Sequence, residues 1–125
     1  MADRTAKLTI DKKTYLMTFG LGCLSRLNQA YQLDQNGFKV GAGIPTAFAE
    51  LSMGNFNVVA DIIRFATADN VNRPTDEEIE AYIYECADDD DSTVFEDFLD
   101  YLKMVPGAKR FFNQAEQAEK NAAKQ

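Results

Sequence analysis

The stretch Lys7-Leu-Thr-Ile10, Thr14-Tyr-Leu-Met-Thr-Phe19 and then Leu21 to Tyr31 decides the reading of this chain. Leu8 and Ile10 alternate with polar residues, as do Tyr15, Met17 and Phe19, and a period of two is the strand signal. Asp11-Lys12-Lys13 supplies the turn between the two runs, because an aspartate side chain readily bonds its own backbone there. Immediately afterwards the period changes. Leu21, Leu24, Leu27 and Tyr31 fall three and four apart, which predicts one apolar helical stripe. An isolated hairpin is barely stable in water, so it must pack on the helices that follow.

Working outward, Leu33 to Gly43 contains three glycines and no sustained period, so it is expected as a loop. Ile44-Pro45 opens a second helix, since proline is tolerated in the first turn, with Ala47, Phe48 and Leu51 on its inner face. Gly54 is a helix stop. Asn55 caps a third helix, whose stripe is Val58, Val59, Ile62, Ile63 and Ala66. Apolar bulk on both faces makes it the expected centre of the core. Thr75-Asp-Glu-Glu78 is a capping box, and its acids suit the positive end of the helix dipole. Ile79, Tyr82, Ile83 and Cys86 follow at helical spacing. Asp88 to Asp91 breaks that helix, and Ser92 is expected to cap a fifth, with Phe95, Phe98, Leu99 and Leu102 inward. Val105-Pro106-Gly107 ends it, and a last helix carries Phe111 and Phe112. The chain is therefore expected to be α+β, mainly α: an N-terminal β-hairpin packed on a bundle of about five or six helices. Residues 1–113 form one expected domain. Residues 114–125 hold no large apolar side chain and are expected to fray or extend as a tail.

The pattern from Lys7 to Thr67 resembles the small tail assembly chaperones of long-tailed bacteriophages and prophages. The resemblance lies in Ile10-x-x-Lys13-x-Tyr15-x-x-x-Phe19, in Leu24-x-x-Leu27-x-x-x-Tyr31, and in Leu51-x-x-Gly54-Asn55 followed by Ile63-x-x-Ala66-Thr67. An acidic helical segment comes next, as in that family, and the likeness runs over residues 7–112. It implies a non-enzymatic protein that coats the tape measure protein, keeps it soluble, helps recruit major tail tube subunits, and is absent from the finished virion. It also implies a short form, with a frameshifted longer product whose extra C-terminal part engages the tape measure protein. The alternative expectation is a structural tail component, a completion or connector subunit of the virion. A third is an acidic inhibitor that mimics DNA, although these acids cluster at helix starts and breaks rather than in a double row.

Composition narrows the chemistry. With 125 residues the chain is long enough for one core. No apolar run is long enough to span a bilayer, and residues 1–7 lack the apolar centre of a signal peptide, so the chain is expected in the cytoplasm of a bacterial host. There is no histidine, which removes the commonest general base and the commonest zinc ligand. Gly20-Leu-Gly22 and Gly41-Ala-Gly43 lack the remaining features of phosphate-binding loops. Counted from Asp88, an EF-hand would need glycine at position six and glutamate at position twelve, where Thr93 and Leu99 stand. No cofactor and no metal site are expected. Cys23 and Cys86 are expected as buried thiols.

Charge is distributed unevenly. Residues 68–105 hold thirteen acids and two bases, whereas the segments on either side are each net basic by two, and the whole is net −7. An acidic block repels nucleic acid, so no nucleic-acid partner is expected. The acids serve either as solvated helix faces or as a surface that meets a basic end of another copy. Phe95, Phe98 and Leu102 are assigned to the core. Tyr101, Phe111 and Phe112 are the candidate partner-binding residues, because little sequence remains to cover the last helix.

Overall fold

A computed structural model describes residues 4–123. The first three residues of the expected domain and the last two of the expected tail lie outside the described residues. The order of elements is β1 (Thr5–Ile10), β2 (Lys13–Thr18), α1 (Leu21–Ala30), β3 (Gln32–Gln35), β4 (Phe38–Gly41), α2 (Gly43–Ser52), α3 (Phe56–Thr67), α4 (Asp76–Ala87), α5 (Val94–Leu102) and α6 (Ala108–Ala123). The expected mainly helical α+β architecture, with a hairpin on a helical bundle, is what the structure shows.

In the first hairpin Leu8 stands opposite Tyr15 and Ile10 opposite Lys13. Asp11 and Lys12 both take positive φ, 47° and 68°, so two residues rather than three make the turn, in the twist that suits antiparallel strands. Leu8, Ile10, Tyr15 and Met17 are buried on one face. That face packs β2 on α3 and β1 on α4.

Helix α3 is the centre. It touches α1, α2, α4 and β2, and Val58, Val59, Ile62, Ile63, Ala66 and Thr67 are all buried. Thr67 satisfies its buried hydroxyl by donating to the Ile63 carbonyl at 2.7 Å. The helix begins as expected: Gly54 takes φ 78°, and the Asn55 side chain accepts from the Asn57 amide at 3.0 Å. Both bonds of the Thr75–Glu78 capping box are present at the start of α4.

Three local expectations are corrected. Leu21 is 70% exposed, and Cys23 and Leu27 hold the inner line of α1 instead. At about 100° per residue Leu21 lies roughly 140° round the helix from the centre of that line. The N-cap of α5 is Thr93 and makes no side-chain cap bond; Ser92, one residue earlier, accepts from the Val94 amide at 3.3 Å. The segment after α1 is not a loop but a second hairpin, β3 against β4. Its turn is Asn36-Gly37, at φ 54° and 85°. An Asn-Gly pair supplies the two positive φ angles such a tight turn requires.

Helices α1 and α2 meet at a close backbone approach. A Cβ on Gly43 would lie 2.6 Å from the Leu27 Cβ. The Gly43 amide donates to Asn28 Oδ1 at 2.9 Å. One connected cluster of buried side chains runs from Leu8 to Ala108.

Candidate functional site

The aromatic residues of the C-terminal third separate into two groups. Tyr101, on α5, stacks on Phe19 with centroids 5.8 Å apart and meets the edge of Phe98 at 5.1 Å. It is half-buried, and burial, followed by the nearby Asp97 and Asp100, raises its hydroxyl pKa. Phe111 and Phe112, on α6, gather instead on Phe48 of α2. Their rings approach it edge-on, at 5.3 and 5.2 Å, and lie 5.7 Å from one another. Among the described residues no ring contact joins Tyr101 to either. The three candidate binding residues thus fall in two places, one against the hairpin core and one on the α2–α6 face.

The reason lies in the start of α6. Val105 and Ala108 are buried, and Gly107 turns the chain at φ 92°. The first turn of the helix is therefore anchored, and Phe111 and Phe112 emerge half-buried one turn later. From there α6 leaves the core: Asn113, Gln114 and residues 116–121 are exposed, with Ala115 half-buried on the side of Phe112. An open groove of about 520 Å³ follows this side, lined by Phe48, Phe112, Ala115, Glu116, Ala118 and Glu119. A second hollow of about 390 Å³ lies between Lys103, Lys109, Phe112, Asn113 and Glu116. Phe112 and Glu116 border both. The Lys103 ammonium sits 5.4 Å from the Phe112 ring centre, a distance at which a cation is attracted to an aromatic face.

Phe48 is the residue that sequence reasoning placed on the inner face of α2 without giving it this role. Its signal was its position beside Ala47 and Leu51, at the edge of the stripe. The exposed apolar residues of the second hairpin were missed with the hairpin itself. Leu33, Phe38 and Val40 are 52%, 75% and 44% exposed.

Elsewhere the polar groups stabilise structure. Arg26 donates to the Phe65 carbonyl at 3.0 Å and to Asp69 at 2.5 Å, which lowers the Asp69 pKa. Tyr31 donates to Asp61 at 2.7 Å, and burial followed by that bond raises its own pKa. Arg64 joins Asp61 to Asp76. The Cys23 thiol is buried, and desolvation pushes it up to about 11, which keeps it protonated and unreactive at neutral pH. Both cysteines are free. Asp89 accepts from the Asp91 amide at 3.0 Å, so part of the acidic run closes its own turn. Among the described residues no group of three or more Cys, Asp and Glu side chains is placed to hold a metal. No helix among them is long and apolar enough to cross a membrane. What the arrangement offers is apolar and aromatic surface, of the kind that protein interfaces use.

Comparisons with curated proteins and with solved structures return no match to this chain. A scan against protein families does return one, described as phage tail assembly chaperone protein, TAC, and it spans residues 7–117. That span takes in the first hairpin from Lys7 onward, the second hairpin, α1 to α5 and the aromatic start of α6. The chain belongs to the phage tail assembly chaperone family.

Proposed function

We propose that this protein binds the tape measure protein through the α2–α6 face, keeps it soluble, and helps recruit major tail tube subunits to it. The observation that carries the proposal is the groove beside Phe48 and Phe112, continued along Ala115 and Ala118. Its length, along about two turns of a helix, suits an amphipathic helix with anchors at spacings of three and four. Of the three candidate residues, Phe111 and Phe112 would touch the client. Tyr101, held between Phe19 and Phe98, lies apart from that face and would not.

The mechanism is masking. A long helical client exposes apolar stripes that associate with one another when left bare. Each chaperone copy covers a short length with modest affinity, and many copies along one client give a coat that competing tube subunits displace. The net charge of −7 keeps the coated client soluble. The role needs no catalysis and places the protein in the bacterial cytoplasm during assembly, not in the mature particle.

Co-expression with the tape measure protein tests this. The wild type is expected to move the client into the soluble fraction. Phe111→Asp with Phe112→Asp, and separately Ala118→Arg, are expected to reduce the soluble client at least severalfold. Ala118 is exposed, so its substitution leaves the fold intact. A soluble client with both variants, or recovery of the chain from purified tails at the stoichiometry of a structural subunit, overturns the reading.

A further inference from the structure

Hairpin β3–β4 has its faces reversed relative to the body of the protein. All eight strand residues are exposed. Leu33 pairs with Val40 and Gln35 with Phe38, so these four share one face. Gln32, Asp34, Lys39 and Gly41 share the other. A Cβ on Gly41 would meet the Asn28 side chain of α1 at 2.7 Å. The polar face is therefore the one turned toward α1, and the apolar face with Leu33, Phe38 and Val40 is turned away. The base of the hairpin is fastened, since the Ala42 amide donates to the Tyr31 carbonyl at 2.7 Å. Among the described residues neither strand has a third neighbour, and a two-stranded ribbon gains stability when its apolar face is covered.

We propose that this face docks on the same face of a second copy of the chain, hairpin against hairpin about a two-fold axis. Charge selects that occupant. Copies of a chain with net charge −7 repel one another, most strongly at residues 68–105. The hairpin adds nothing to this repulsion: Asp34 stands opposite Lys39, the two charges cancel, and the apolar face carries none. A basic partner finds no acid there to pair with. A second copy brings an equally neutral face of identical shape, which is what an isologous contact requires. Area sets the strength. Leu33, Phe38 and Val40 together expose roughly 350 Å² of side-chain surface, so two copies bury about 700 Å² of it. That falls below the span of about 1,200–2,000 Å² typical of stable complexes, and the dimer is weak and concentration-dependent. This contact is independent of the α2–α6 groove.

Sedimentation velocity from micromolar to near-millimolar protein tests it. The wild type is expected to rise from the 14.0 kDa monomer toward twice that mass. Phe38→Ser with Val40→Ser is expected to stay monomeric at concentrations at least tenfold above the wild-type midpoint, with an unchanged melting temperature. In a Cys86→Ser background, Phe38→Cys or Val40→Cys is expected to form disulfide-linked dimers at least several times faster than Gln32→Cys on the opposite face. A wild type that stays monomeric throughout, a hairpin variant that associates as the wild type does, or equal cross-linking from both faces overturns the proposal. None of these outcomes bears on solubilisation of the tape measure protein, which is scored separately.

Discussion

The Tyr15 hydroxyl on β2 donates to Glu78 Oε2 at 2.7 Å, and the other oxygen of that carboxylate accepts from the Thr75 amide at 3.0 Å. One side chain thus closes the capping box of α4 and ties that helix to the hairpin. Lys13 approaches the same carboxylate at 3.8 Å. The Thr75 backbone, then Tyr15 and Lys13 among the others, hold the Glu78 carboxyl below the ordinary glutamate range. The Tyr15 phenol is raised, first by the same bond. Because Glu78 is more acidic folded than unfolded, its contribution is complete above the ordinary glutamate pKa. It is lost as pH falls through the lowered native value. Urea midpoints measured from pH 7 down to pH 3 are expected to fall less steeply for Glu78→Gln than for the wild type. Parallel curves refute the link.

A second prediction concerns Gly43. Its missing Cβ lets α2 come within contact of Leu27, and the nearest atoms include the Leu27 carbonyl carbon at 2.8 Å, which is backbone and cannot rotate away. Gly43→Ala is expected to lower stability by about 1–3 kcal/mol, the usual range for overpacking. Gly20→Ser is the control: nothing lies within 4 Å of a Cβ there, and serine is a good N-cap. Chemical denaturation of the two variants checks both signs.

Gly43 lies where sequence and structure read differently. Features with local causes were legible. Asn55, Thr75 and Glu78 cap their helices with side chains two or three residues away, and the α3 stripe depends only on helical spacing. Features that depend on distant contacts were not. The approach of Gly43 to Leu27 needs two helices brought together. Leu21 fits the spacing of its helix yet faces solvent, because its neighbours, not its period, decide which side is covered. The β3–β4 pair was obscured by three glycines, although Asn36-Gly37 between Leu33 and Val40 is itself a hairpin signal. In the candidate site, Phe111 and Phe112 were identifiable from the scarcity of chain left to cover them. Phe48 as their shared partner was not, because nothing near residue 48 encodes the position of α6.

The two cysteines differ in a way that chemical labelling reads directly. Cys23 is 2% exposed and its thiol is pushed up to about 11 by burial. Cys86 is half-buried and raised as well, first by desolvation. At pH 8 in native buffer a thiol reagent is expected to modify Cys86 slowly and Cys23 at least tenfold more slowly still. In denaturant both are expected to react at once. Rapid native labelling of Cys23 indicates that α1 opens away from the core.

The last prediction separates core aromatics from surface aromatics. Phe98 is fully buried, and Phe98→Ala is expected to remove about 3–5 kcal/mol of stability, the range for a large core side chain. Among the described residues Phe112 has only Phe48 and Phe111 as aromatic neighbours, and one side of its ring borders open groove. Phe112→Ala forfeits part of the burial and two edge-to-face contacts, so a loss of about 1–2 kcal/mol is expected. Tyr101→Ala is expected to fall between them, since its ring stacks on Phe19 and meets Phe98 while one edge stays accessible. Equilibrium unfolding of the three variants gives the order. If Phe112→Ala is as damaging as Phe98→Ala, then the α2–α6 face belongs to the core, and the groove loses its standing as a binding surface. If the order holds, Phe112 contributes less to the fold than its size allows, and the remainder is open to a partner.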